Sequence, residues 1–280
     1  MMLCAKSPSW EEALGKNDSN PFEALLKTSD TKNVHLTPVG LNDASGRYHL
    51  GSPKRPFIKH DNGHLDKFPQ EEPSLSDKTQ LVKWKAMLVA SEALCDANMG
   101  KNIDKCSGED LTDANAAYRH FLYGDGADRT IDYERYIKSD ASGKELMLKL
   151  MVDFQVHAAA IGKDRIKFSV TSEAFTVGHG GIGPYPATAN WQKTLGAHFI
   201  WVSADIAVFA NSKGLIIFDA NVTVHVEDRY NFNPGSTDVA TGIPDSANGR
   251  FEITRLAKQY TNYATVVRHL KWDENSSIKK

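Results

Sequence analysis

HFIWVSADIAVFANSKGLIIFDANVTVHVEDRY, residues 198 to 230, decides the fold. From His198 to Val208 the even positions read His, Ile, Val, Ala, Ile and Val. After the turn Ala-Asn-Ser-Lys-Gly they read Ile216, Phe218, Ala220, Val222, Val224 and Val226. A period of two places alternate side chains on one face of a strand, so the stretch predicts a long β-hairpin with one buried face. The opposite face of the second strand, Asp219, Asn221, Thr223, His225 and Glu227, suits water or a polar cleft. The even series then runs on into Asp228 and Tyr230, which aims a carboxyl group at the core just as the strand ends. Ionised and unpartnered there, it would cost several kcal/mol. It must therefore meet an arginine, backbone donors or a metal, or keep its proton.

Upstream of the hairpin the period changes. Ile166, Phe168 and Val170 share one face of a strand, and Phe175 to Val177 extends it before the loop GHGGIGPYPATAN. Before Gly162 the spacing is helical. Asp77 to Asn98 carries Leu81, Val82, Trp84, Leu88 and Leu94 at helical intervals, and Glu109 to Tyr123 follows a weak capping box, Ser107 to Asp110. A shorter helix covers Ile131 to Ile137, and the box Ser142 to Glu145 opens a helix that ends at Gly162. After the hairpin, Arg250 to Tyr260 reads as a short helix or turn and Ala264 to Trp272 as a closing strand. Residues 1–76, rich in Pro, Asn, Ser and Lys, read as an irregular arm. The expected fold is α+β, with a helical region over 77–162 packed on an antiparallel, partly barrel-like sheet in a β-domain over 163–280 that carries the site.

At 280 residues and 41% hydrophobic the chain can bury a full core. A net charge of -2 lacks the basic footprint that nucleic acid binding requires, so no nucleic acid partner is expected. The start, MMLCAKSPSWEEAL, has neither the apolar run nor the cleavage site of a secretory signal, which suggests synthesis in the cytoplasm without export by the general route. The most apolar helical window, Leu146 to Ile161, is broken by Lys149, Asp153, Gln155 and His157 and is too short and polar to span a bilayer. Cys4, Cys95 and Cys106 show no paired metal or redox spacing. They read as free thiols, or as a Cys95 to Cys106 disulfide in an oxidising compartment.

The richest polar segment follows the hairpin, VHVEDRYNFNPGSTDVATGIPDSANGRF, residues 224 to 251. Turn dipeptides place its polar side chains on a loop held by a rigid strand, where sites concentrate. The oxygens of Asp228, Asn231, Asn233 and Asp238 could coordinate Mg²⁺ or Ca²⁺, although their offsets do not match an EF-hand. Equally, such side chains cap their own turns. A catalytic reading takes Asp228 or Asp238 as base or nucleophile, His225 as acid with Tyr230 beside them, and Arg229 and Arg250 as anion clamps. Such a set suits hydrolysis at phosphorus. Asn248 opens the turn that presents Arg250, and His179 could line the same cleft. The Gly-rich loop after His179 lacks GxxxxGK[ST], and no Ser sits in a GxSxG elbow.

With DRYNFNPG, the preceding strand and NWQKTLGAHFIW, the chain resembles, over roughly residues 117 to 272, the toxin domains of interbacterial effectors, including type VI secretion cargo. Within that group it is weakly similar to colicin M-type bacteriocins, whose motif has an Asp, then Tyr-Asp two residues on, then a His-Arg pair. Asp228 and Tyr230 match this motif; Asn231 stands at the second Asp, and Asp238 at the Arg. The resemblance implies Mg²⁺-assisted cleavage of an undecaprenyl-linked peptidoglycan precursor in a target cell's periplasm. It also implies delivery by a contact-dependent secretion machine and a cognate immunity protein as partner. The other reading is a non-enzymatic toxin or binding module that recognises lipid or a protein, its polar loop purely structural.

Overall fold

The computed structural model describes residues 47–99, 110–162, 164–238 and 242–275. The hairpin forms β5 (His198–Ala210) and β6 (Ile216–Tyr230), in register from Ala210↔Ile216 to Phe199↔Glu227. Ile200, Val202, Ala204, Ile206, Phe218, Ala220, Val222, Val224 and Val226 are buried, which is the face the alternation predicts. β7 (Tyr260–Asp273) runs antiparallel to β6 along its whole length. On the other side β5 pairs with β3 (Lys167–Ser172) and β4 (Phe175–Val177).

Two short strands complete a seven-stranded sheet: β1 (Tyr48–Leu50), antiparallel to β3, and β2 (Arg129–Thr130), parallel to β7. The fold is α+β, but the sheet is open and mixed rather than antiparallel and barrel-like. Its two edge strands are too short to close it. β2 is parallel because the chain reaches the β7 edge from a helix rather than through a hairpin. The arm is likewise not wholly irregular, since Tyr48, buried beside Phe154, carries β1 into the sheet.

Helix α1 spans Leu75–Met99, α2 Thr112–Tyr123, α3 Tyr133–Ser139 and α4 Ala141–Gly162. α4 lies on the inner face of the sheet, and its Leu146, Leu150, Met151 and Phe154 are fully buried in the main core. Each such side chain contributes about 1.5–3 kcal/mol of burial. The start of α4 differs from the capping-box reading: Asp140, not Ser142, is the cap, its carboxylate accepting the Ser142 N–H at 2.9 Å. Ile166, expected to point inward, is 85% exposed because β3 begins one residue later. Ser107 and the side chains of Cys4, Cys95 and Cys106 lie outside the described residues.

Short helices α5 (Ala189–Thr194) and α6 (Ser246–Ile253) flank the end of the sheet where β6 runs out. There a second core, containing Leu88, Phe121, Phe251 and Tyr260, joins α1 and α2 to α6, and Tyr230 and Phe232 pack against it. The loop that follows Asp228 is thus clamped between two cores. Beyond Tyr263 the outer edge of β7 has no neighbouring strand among the described residues. Arg268, buried on that strand, donates from Nη1 to the Val267 carbonyl at 3.0 Å and from Nη2 to Glu134 of α3 at 2.8 Å.

Candidate functional site

A cavity of about 510 Å³ opens where β6 ends. Trp84, Met87 and Leu88 of α1 form one wall, and α5 with residues 236–238 and 243–245 forms the other. Asp228 lies at its floor, 4% exposed. Among the described residues its carboxyl group has one hydrogen bond, from Asn262 Nδ2 of β7 at 3.0 Å, and the register of the strands sets that bond, since Asp228 pairs with Asn262. Burial disfavours the carboxylate and the single amide offsets this only in part, so the Asp228 pKa is pushed up to about 8. The side chain therefore keeps its proton at neutral pH, which is one of the outcomes its inward phase required.

Around Asp228 the sheet face turns from apolar to polar within one row. His198, whose place on β5 falls in that row, is buried and held neutral, its pKa lowered to about 4 by burial. Its Nδ1–H faces the Gly196 carbonyl at 2.9 Å, and its Nε2 accepts from the Tyr133 hydroxyl at 2.7 Å. Asn262 also donates to the Thr194 carbonyl at 3.2 Å, and its buried Oδ1 has no protein partner.

The cavity gathers most of the residues predicted from sequence, though not in the roles first read into them. Asp228, Tyr230, Asp238, Asn231, Asn233, Asn248 and His179 all line it. The Tyr230 ring stacks on Tyr260 at 4.9 Å. Asp238 is ion-paired with Lys193 of α5. Asn248 accepts the Tyr118 hydroxyl at 2.6 Å. Asn231 is tied back to Asp61 of the arm, to the carboxylate at 2.7 Å and the carbonyl at 3.0 Å. Asp245, not assigned a role from sequence, accepts the Asn233 N–H at 3.2 Å, and burial raises its pKa. Among the described residues, no three His, Cys, Asp or Glu side chains come together to hold a metal. The four oxygen donors predicted from sequence, Asp228, Asn231, Asn233 and Asp238, all line the cavity, with Lys193 paired to Asp238.

Arg229 also lines the cavity, whereas His225 and Arg250 do not. His225 is on the outer face of β6, as its odd position requires, with its ring stacked on Trp201 at 3.6 Å and Nε2 2.9 Å from Ser203 Oγ. The Arg229 guanidinium is held by Gln259 and Thr261 at 3.2 and 3.3 Å. Arg250 fastens α6 to the start of α1, bonding Asp77 through Nε and Nη2 at 2.9 and 3.1 Å and Glu71 through Nη1 at 2.5 Å. That contact, chiefly the guanidinium hydrogen bond, holds the Asp77 carboxyl well below the ordinary range. Arg250 is therefore a fastening for the helices rather than an anion clamp.

The arm binds the same region from behind. His64 Nδ1 lies 2.7 Å from the Phe232 carbonyl, and the ring packs on Gly249 of α6 so closely that a Cβ there would fall 2.0 Å from it. Arg55 grips Glu227, 3% exposed, through two bonds at 2.6 and 2.7 Å, with His60 at 3.4 Å. Burial alone would raise the Glu227 carboxyl, but Arg55 and then His60 outweigh it and hold the pKa low.

Arg55→Ala is expected to lower stability by about 1–2 kcal/mol at pH 7, because Arg55 is half exposed and its pair is screened. A depressed carboxyl stabilises above its unfolded pKa, so the deficit should shrink as pH falls below about 4. Melting curves of both proteins at pH 3 and 7 check this; an equal deficit at both contradicts it.

No family model, curated protein or solved structure matches this chain. No described helix is long and apolar enough to cross a membrane.

Sequence reasoning found Asp228 and its loop but missed Lys193, Tyr118, Trp84 and Asn262. Asn262 had no local signal: it matters only through the β6–β7 register. Lys193 and Trp84 sit on helices whose approach to the loop is a tertiary matter.

Proposed function

We propose that the chain is an antibacterial effector that hydrolyses a phosphate-linked cell-envelope substrate, a peptidoglycan precursor, with Asp228 as general acid. The observation that carries this is a buried carboxyl group, with the Asn262 amide as its partner, at the floor of a cleft that is apolar on one wall and polar on the other. Such a group has the pKa a proton donor needs near neutral pH. Water attacks phosphorus and the bond to the leaving oxygen breaks. Asp228 gives that oxygen its proton and regains one from the water consumed. A Mg²⁺ or Ca²⁺, if bound, would be held by oxygens of Asp228, Asn231, Asn233 and Asp238 and would supply charge to offset the phosphate.

On this reading the protein is delivered to a target cell's periplasm through a secretion-machine component and neutralised by an immunity protein. Directed to the periplasm of a sensitive bacterium, the chain should arrest or lyse it within a few generations, while the same chain kept in the cytoplasm should not. Purified, it should release the phosphorylated saccharide from a polyprenyl-linked precursor. Absence of both effects sinks the proposal. Precursor binding without product would favour the binding-module reading, which the exposed apolar residues Val82, Met87 and Val89 of α1 support through a lipid or protein partner.

A further inference from the structure

We infer that the element this cleft grips is an uncharged saccharide of one or two pyranose rings, and that any phosphate contributes little to binding. This rests on the reading that the cleft is where substrate binds. The charges lining it leave little for an anion. Lys193 is already paired with Asp238, and the Arg229 guanidinium donates to Thr261 and Gln259 while its charge acts on the buried Glu252. Asp245 adds a further carboxyl group, which repels a phosphate when ionised.

The neutral groups are arranged otherwise. The hydroxyls of Tyr230 and Tyr185 make no hydrogen bond among the described residues, and both side chains line the cavity. Asn248 spends its Oδ1 on Tyr118 and has no acceptor for its Nδ2 among the described residues; Gln192 spends its Nε2 on the Pro186 and Ala187 carbonyls at 2.8 and 3.4 Å and keeps its Oε1. These are open donors and acceptors without charge, and a sugar hydroxyl is both at once. Trp84 and Tyr118, edge to face at 5.9 Å, add the flat apolar surface on which the C–H face of a pyranose packs. The volume, about 510 Å³, suits a ligand of disaccharide size.

The test uses the full chain with N,N′-diacetylchitobiose, chitohexaose, sodium pyrophosphate and undecaprenyl phosphate in detergent, read by tryptophan fluorescence and saturation-transfer NMR. The disaccharide should bind in the millimolar range. Tyr230→Phe, which keeps the ring and removes an open hydroxyl, should weaken it about three- to tenfold. Lys193→Ala should leave it unchanged. A precursor head group predicts that chitohexaose binds no better than the disaccharide; a polymeric glycan predicts that it binds more tightly, and either ranking supports a saccharide site. Binding of pyrophosphate that is lost in Lys193→Ala, with none of the sugars, overturns the inference. So does sugar binding unaffected by Tyr230→Phe. Asp228→Asn should bind the sugar as wild type does, so failure of the hydrolase reading would not be mistaken for failure of this one.

Discussion

Asp228→Asn is expected to remove about a hundredfold or more of the activity and at the same time to raise the melting temperature above pH 7. The two effects have one cause. A pKa displaced by burial from 3.8 to about 8 means that the folded state holds a proton that the unfolded chain releases. A group raised in this way stabilises fully below its unfolded pKa, and that contribution is lost as pH rises through the folded value. The window here is pH 4 to 8, and the penalty at its upper end is on the order of 5 kcal/mol. Asparagine has the shape of the protonated acid, accepts the same Asn262 amide hydrogen, and cannot ionise. Melting temperature measured from pH 4 to 9 should therefore fall less steeply in the variant. Glu252, buried and likewise raised to about 8, leaves part of the slope in place. Parallel wild-type and variant curves would falsify the assignment of the proton to Asp228. In the wild type, turnover should hold up to about pH 8 and decline beyond it, as the acid is lost.

Gly249→Ala is expected to destabilise the protein by about 3 kcal/mol, or about 6–12 °C in melting temperature. The added methyl has nowhere to go, because the buried His64 ring occupies its place. Moving the ring breaks its bond to the Phe232 carbonyl, and with it the hold of the arm on the loop after Asp228. His64→Ala by itself should cost the bond and some packing, yet in its presence Gly249→Ala should cost little. A double-mutant cycle reads this directly as a coupling of about 2 kcal/mol between the two sites. Additive losses would show that the clash is relieved by backbone motion elsewhere.

What could be read from the chain, and what could not, follows from the range of the interactions. The β5–β6 hairpin was legible because a two-residue period records which face each side chain takes. The same phase identified Asp228 as inward, but it also places His225 outward, and grouping the two by proximity in sequence ignored that. Arg250 looked like an anion clamp because a turn precedes it. Its acidic partners, Glu71 and Asp77, are distant in sequence, and only the packing of α6 on α1 brings them together. β1 and β2 are too short to leave a period, and both owe their existence to an edge that was waiting for them.

The β7 edge left open beyond β2 bears on what happens to many copies of this chain at once. A long strand with unpaired amides is a template on which the same strand of another molecule can add, and the hazard is greatest while chains refold in a crowded compartment. Arg268 works against that outcome. Its guanidinium occupies a carbonyl that an incoming strand would need, and drawing a second strand alongside would force a buried cation away from Glu134. The residue thus disfavours edge-to-edge addition of a second strand at the cost of an imperfectly satisfied Nε, a trade of local comfort for resistance to fibre growth.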